Sequence, residues 1–128
     1  MKLISYICAG SLSESDKQIR VVLCTDEYLN FYDQLKPNVR VKVDYGIDIV
    51  TTIKLVSSRL VKKITNYELY EMRISVDNEY RIIMCAIDNL NFISASRVIL
   101  LCGFVKKSTK DYHREFQKAL RILNAIEL

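Results

Sequence analysis

Residues 67–105 hold the pattern most typical of β-strands: one face of the first segment is apolar and the other half polar, and residues 80–87 and 97–105 are nearly continuous apolar runs. Three strands are predicted there, at 67–76, 80–87 and 97–105. The short polar segment between the first two predicts a tight hairpin, and the third is so apolar that it is expected at the centre of a sheet. Gly103 interrupts that third strand, which indicates a bulge or a close backbone approach.

The first half of the chain predicts one strand and two helices. Residues 18–24 (QIRVVLC) favour a strand, and Thr25 is expected to cap a helix that ends near Pro37. The run 39–56 carries both a strand-like alternation and a helical stripe. A helix is favoured, because proline suits the first helical turn and the apolar pattern outlasts an average strand. Residues 3–8 alternate loosely and could form an extra strand.

A helix is predicted from about residue 108 to 126, where apolar residues recur at helical spacing. The resulting order is strand, two helices, three strands and a helix. It predicts an α+β fold: a small antiparallel sheet, made of the N-terminal strand and three C-terminal strands, with two helices after the first strand and a C-terminal helix. Residues 57–66 are expected to be a basic connection.

The chain has 128 residues, which is enough for one domain. Charge is distributed unevenly along it. The formal net charge is +4; residues 1–53 carry six Lys or Arg against seven Asp or Glu, and residues 54–128 carry thirteen against eight. The basic character therefore belongs to the second half. For any single cation, a solvated surface side chain is an equally good explanation, and only spatial clustering would favour a nucleic-acid site.

The cysteines and the single histidine do not form a metal-binding motif. The four cysteines are far apart, each in an apolar run, and no CxxC pair occurs; they are Cys8, Cys24, Cys85 and Cys102. We expect reduced thiols in a cytoplasmic protein with no metal and no cofactor. No apolar stretch is long enough to span a membrane, so no membrane association is expected.

The second half resembles the RelE/HigB superfamily of bacterial toxin-antitoxin toxins, in particular its phage-derived HigB-like branch. Two segments carry the resemblance: VKKITNYELYEMRISVDNEYRIIM, and VILLCGFVKKSTKDYHREFQKALRIL. The shared pattern is a basic VKK loop, an LYEMR strand, a YRI strand and GFVKKSTK opening into a charged final helix. The resemblance covers residues 61–123 closely and 19–60 by order of elements. It indicates an N-terminal extension at 1–16 and a toxin domain at 17–128.

This resemblance implies a RelE-like fold and a toxin that cleaves mRNA as an endoribonuclease, usually on the ribosome. It also implies a cognate antitoxin, which in the HigB branch is usually a helix-turn-helix, HigA-like protein. Carried over position by position, the catalytic candidates are Arg73, Arg81, Lys106 and Lys107. The RNA-binding candidates are Lys62, Lys63, Tyr80 and Lys110.

Metal-independent RNA cleavage uses the ribose 2′-OH as nucleophile and needs a base, an acid and cations around the phosphorane. We therefore hypothesise that Arg73 and Arg81 stabilise phosphate charge, while Lys106 or Lys107 assists proton transfer. The alternative is structural: Arg73 could pair with Glu71 or Glu79 across the hairpin.

The remaining candidates are open to more than one interpretation. Tyr80 is a core residue by alternation, although an aromatic ring near cations could stack on a base. Lys106 and Lys107, taken alone, are more often solvated than functional. The triplet Asp111, Tyr112 and His113 resembles one that has a catalytic role near the end of some HigB toxins. Here it opens the last helix, so that role is not transferred, and His113 is expected on the surface.

Two other functions remain open at the level of sequence. One is a non-catalytic RNA-binding or ribosome-binding protein, or an inactive toxin relic, that keeps the basic face without cleavage. The other is a partner-binding module whose final amphipathic helix docks another protein.

Overall fold

The computed structural model of the chain describes residues 4–5, 18–88 and 91–126. Within these ranges it contains six strands, three α-helices and one short 3₁₀ turn. In chain order they are β1 (Ile4–Ser5), β2 (Val21–Cys24), α1 (Asp26–Asp33), α2 (Pro37–Thr52), β3 (Val61–Lys63), β4 (Tyr70–Val76), β5 (Asn78–Ala86), the 3₁₀ turn (Phe92–Ser94), β6 (Arg97–Val105) and α3 (Thr109–Ala125). The rest of the predicted N-terminal extension, including Cys8, lies outside the described residues.

All six strands form one sheet in the order β1, β2, β6, β5, β4, β3. The predicted α+β class is confirmed, and the element order is consistent with a small RelE-like fold. The sheet is mixed, however, and not antiparallel throughout as predicted, because β2 pairs with β6 in parallel. The connection explains this: β2 joins the rest of the sheet through two helices, and such a crossover allows a parallel pairing that a tight hairpin does not.

Element boundaries agree best where the sequence signal is strong. The predicted last strand coincides with β6, and the ambiguous run is helix α2, with Pro37 at its start. Thr25 caps α1, as its hydroxyl oxygen accepts a hydrogen bond from the Tyr28 N–H (3.1 Å). The hairpin between β4 and β5 turns at Asp77, whose φ of 61° is in the left-handed region that Asp tolerates better than most residues. Strand β3, in the predicted basic connection, was not anticipated, because three residues are too short to show a period.

The sheet is covered on both faces. Helices α1 and α2 pack on one face, over a core that includes Val43, Ile47 and Met72. Helix α3 packs on the other, where Ala119 and Ile122 meet Ile83. The apolar stripe of α3 is therefore buried against the protein's own sheet, which contradicts the interpretation of that stripe as a docking surface for another protein. None of the helices in the described ranges is long and apolar enough to cross a membrane.

Two glycines mark the closest contacts between helices and sheet. A Cβ atom on Gly46 of α2 would lie 2.9 Å from the Met72 sulfur, and one on Gly103 would lie 2.4 Å from the Phe31 ring. The predicted close approach at Gly103 is therefore confirmed. Phe31 belongs to α1, so this glycine allows α1 to lie against the second half of β6.

A buried arginine joins the start of β2 to two loops. The Arg20 guanidinium is almost fully buried and donates hydrogen bonds to five backbone carbonyl oxygens, those of Val50, Ile53, Lys54, Phe92 and Ile93, at 2.6–3.3 Å. It also lies 4.7 Å from the centroid of the Phe92 ring. Every guanidinium donor thus has a partner, and the end of α2 is fixed to the loop that precedes β6.

Candidate functional site

Strand register places the two arginines predicted as catalytic side by side. Arg73 of β4 is directly opposite Arg81 of β5, and Lys62 of β3 is directly opposite Glu71 of β4. Because side chains alternate along a strand, these four belong to the sheet face that α3 covers. Like charges opposite each other in a sheet are destabilising, so the arginine pair requires a compensating anion.

Glu71 supplies that anion. Its Oε1 atom lies 3.6 Å from Arg73 Nε and 4.0 Å from Arg81 Nε, and the residue is only 7% exposed. Glu79 at the hairpin adds a second carboxylate, 3.9 Å from an Arg81 nitrogen. Both guanidiniums therefore converge on one carboxylate oxygen, and the sequence-based alternative of an ion pair between Arg73 and Glu71 is confirmed as a contact.

Tyr112 of α3 covers Arg81. Arg81 Nε donates a hydrogen bond to the Tyr112 hydroxyl oxygen (2.9 Å), and Arg81 Nη1 donates one to the Tyr80 carbonyl oxygen (3.0 Å). Lys106 Nζ lies 5.2 Å from the centroid of the Tyr112 ring. Arg81 is consequently 2% exposed, whereas the Arg73 side chain keeps 35% of its surface accessible.

An open pocket of about 220 Å³ lies beside this cluster. Its lining includes Lys62, Lys63 and Glu71 of the sheet, together with Tyr112 and Phe116 of α3. The two aromatic rings pack against each other, with centroids 5.3 Å apart. The cluster thus combines four cations with two carboxylates, which leaves an excess of positive charge. It borders a pocket that is lined by a carboxylate, by lysine and by two aromatic rings. We call Lys62, Glu71, Arg73, Glu79, Arg81, Lys106 and Tyr112 the basic cluster.

A family model describes most of the chain that carries these side chains. Residues 30–124 match the family of phage-derived Gp49-like proteins (DUF891), a range that contains the whole basic cluster. The chain belongs to the phage-derived Gp49-like family. This family is associated with toxin-antitoxin modules. No curated protein and no solved structure is significantly similar to the chain.

The structure brings some of the predicted residues of this Gp49-like chain together and separates others. Lys62, Arg73, Arg81 and Lys106 join the basic cluster. Lys63 is opposite Tyr70, which assigns it to the α1 and α2 face of the sheet by alternation, but it also lines the pocket beside Glu71.

Tyr80 faces the same way as Lys63 and is 8% exposed in the core, so it is not available to stack on a base in this structure. Lys107 is exposed in the connection after β6, and Lys110 is exposed on α3.

Three members of the basic cluster, Glu71, Glu79 and Tyr112, were not among the predicted site residues. Glu71 had a signal, because it lies two positions before Arg73 and must share its face. Tyr112 had none that alternation could provide, because its position depends on how α3 packs across the sheet.

Other reactive groups of this Gp49-like protein are placed away from the cluster or are inert. Burial raises the pKa of the Cys102 thiol to about 12, so a thiolate nucleophile is not formed there at neutral pH. His113 is exposed, as predicted. In the described part of the chain, no group of three or more His, Cys, Asp or Glu side chains has the arrangement of a metal site.

Proposed function

We propose that this protein is the toxin of a toxin-antitoxin module and that it cleaves mRNA as an endoribonuclease by metal-independent attack of the ribose 2′-OH. One observation supports this most strongly: two arginines converge on the buried Glu71 carboxylate, which lines an open pocket, and Lys62 and Lys106 add positive charge to the same cluster. A fixed positive site of this kind favours a phosphodiester, because its charges are ordered before the ligand binds.

The exposure of each side chain decides its role. Arg73, Lys62 and Lys106 are accessible and contact the scissile phosphate and its neighbours. Arg81 is covered by Tyr112 and acts as a positioning residue, which holds Glu71 and Tyr112 in place.

Glu71 is the proton acceptor in this proposal. Its carboxylate takes the proton of the 2′-OH, the 2′-oxygen forms a bond to phosphorus, and the bond from phosphorus to the 5′-oxygen breaks. The Lys106 ammonium gives a proton to the departing 5′-oxygen. The products are a 2′,3′-cyclic phosphate and a 5′-hydroxyl, so the reaction consumes no water and no external reactant.

The partners of the proposed toxin follow from the resemblance to the HigB-like branch. They are a cognate antitoxin of the helix-turn-helix, HigA-like type, and mRNA on the ribosome in the cytoplasm. Family membership supports an antitoxin partner at the level of the module.

The proposal is tested by replacing the accessible arginine and the proton acceptor one at a time. Arg73→Ala and Glu71→Gln should each lower the rate of RNA cleavage about 100-fold or more, because each removes a group that acts on the reacting phosphate. Primer extension on cellular mRNA after induced expression would locate the cuts. Arg59→Ala and Glu68→Gln, which change the same residue types at exposed positions, should cleave as the unmodified protein does.

A second function is favoured by the ion pairs themselves. Because Glu71 already neutralises part of the charge of Arg73 and Arg81, the same face could bind RNA or the ribosome without cutting it. Growth arrest without discrete mRNA cuts would support this non-catalytic role and reject the endoribonuclease.

A further inference from the structure

Helix α3 has a second charged surface, which faces away from the basic cluster. Its exposed cations are Lys110, Arg114, Lys118 and Arg121, and we call them the α3 stripe. At 3.6 residues per turn, all four lie within an arc of about 80°, on the side opposite Tyr112 and the buried Ala119. From Lys110 to Arg121 the stripe extends about 17 Å along the helix.

We propose that the α3 stripe binds the phosphate backbone of RNA that flanks the cleavage site. This inference rests on the proposed function and extends it from the scissile phosphate to the rest of the substrate. Lys106 of the basic cluster is followed along the chain by the exposed Lys107 and by Lys110, the first residue of the stripe, so the connection after β6 joins the two surfaces. A ligand that engages the cluster can therefore follow cations along the helix.

The chemistry of the stripe fits a polyanion better than a protein. Specific protein interfaces have an apolar core, and no exposed large apolar side chain lies on α3 among the residues that the structure describes. Such side chains are found instead on α2 and the loop after it, including Val41, Tyr45 and Leu55. Phosphate contacts, in contrast, need cations on an exposed and rigid surface, which α3 provides.

The acidic groups near the stripe leave it positive. Glu115 of α3 is half-buried, and Glu27 of α1 lines an open pocket together with Lys118. Lys118 and Arg121 form no ion pair with any carboxylate among the described side chains. These two residues are also six or more positions along the helix from Tyr112, so they test the stripe without touching the cluster.

The test compares charge reversal on the stripe with a matched reversal elsewhere. Lys118→Glu with Arg121→Glu is the stripe variant, and Lys42→Glu with Lys54→Glu, at exposed positions on α2 and just after it, is the control. The probe is a 24-nucleotide 2′-O-methyl RNA, which lacks the nucleophile and cannot be cut by the proposed reaction. A six-nucleotide RNA of the same chemistry and a 16-base-pair RNA duplex are measured alongside it.

We expect the stripe variant to bind the 24-nucleotide RNA at least tenfold more weakly than the control variant does. Its plot of log affinity against log salt should be shallower by about 1.4, because two phosphate contacts are lost. The preference for the long strand over the six-nucleotide strand should fall with it. A loss confined to the duplex or to the single strand would also support the stripe and would identify the form of RNA that it holds.

Equal losses in both variants would show that only net charge matters and would overturn the proposal. A stripe variant that binds RNA normally but fails to bind its antitoxin would also overturn the proposal, because the stripe would then be a protein-binding surface. Failure of the proposed function has a different signature: the unmodified protein binds the long RNA through the stripe, but its induced expression produces no discrete cuts in cellular mRNA.

Discussion

Two arginines of this protein are buried to almost the same extent, and their surroundings differ completely. Arg20 is 1% exposed and donates only to backbone carbonyl oxygens. Arg81 is 2% exposed and lies among ionisable side chains, with Glu71, Glu79 and Tyr112 around it. The first guanidinium is held by backbone dipoles, and the second by side chains of which two, Glu71 and Tyr112, line an open pocket.

The comparison shows that burial of an arginine does not by itself indicate a functional site. Burial lowers the pKa of the Arg20 guanidinium. Its hydrogen-bond donors are all used by five carbonyl oxygens, so none is left to bind a ligand. The side-chain partners of Arg81 are two carboxylates and a phenol hydroxyl, the kinds of group that transfer protons in enzymes. We therefore expect Arg20 to determine stability and Arg81 to determine activity, and each expectation can be tested separately.

The largest effect on stability is expected at Arg20. Arg20→Met should lower the free energy of unfolding by about 3 kcal/mol or more, because several buried carbonyls lose hydrogen bonds to a charged donor. Urea denaturation measures this directly. Arg59→Met, at an exposed position, should change stability by less than about 0.5 kcal/mol. A loss below about 1 kcal/mol at Arg20 would mean that water replaces the guanidinium, and the distinction between the two arginines would weaken.

The opposite pattern is expected at Arg81. Arg81→Met should cost about 2 kcal/mol of stability, because Glu71 keeps Arg73 as a partner, but it should abolish cleavage by releasing Glu71 and Tyr112. Tyr112→Phe removes only the hydroxyl that accepts from Arg81 and should cost about 1 kcal/mol. Cleavage per folded molecule separates the two roles: it should persist in Arg20→Met and be lost in Arg81→Met. Persistent cleavage in Arg81→Met would show that Arg81 is as structural as Arg20.

The smallest effect concerns the loop that Arg20 holds at Phe92 and Ile93. Asp88 fixes the same loop from its other end, because its carboxylate accepts hydrogen bonds from the Ser96 hydroxyl and from the N–H groups of Ser96 and Arg97. The Ser96 hydroxyl is the main cause of its lowered pKa, which is about 2.

A carboxyl whose pKa is lowered in the folded state stabilises the protein above its ordinary pKa, near 3.8, and loses that contribution as pH falls through about 2. The midpoint of urea denaturation should therefore be higher for the unmodified protein than for Asp88→Asn at pH 5, and the difference should vanish toward pH 2. A difference that is constant over this range would show that the Asp88 carboxylate does not hold the loop.

Most of the fold could be predicted from the sequence, because the sequence patterns that indicate its elements are local. The continuous apolar run in 97–105, the proline at the start of α2 and the tight turn at Asp77 each depend on neighbouring residues. The parallel pairing of β2 with β6 was missed because register between distant strands is not encoded in either strand alone.

The candidate site could be predicted less completely, because it too depends on contacts between elements that are distant in the chain. Alternation assigned Arg73 to its face, but the pairing of Arg73 with Arg81 depends on hairpin register, and the covering of Arg81 depends on the packing of α3. Arg20 gave no signal at all, because its partners are backbone atoms some 30 to 73 residues away in the chain.

The position of β6 also sets the order in which this protein can be completed during synthesis. β6 lies between β2 and β5, and its pairing with β2 joins Val21 to Arg97. In a nascent chain that has not yet reached Arg97, the edges of β2 and β5 that β6 will occupy are unpaired. Unpaired strand edges can pair with other chains and so promote aggregation. Such a nascent chain also lacks Lys106 and Tyr112, so the basic cluster is assembled only after the sheet can close.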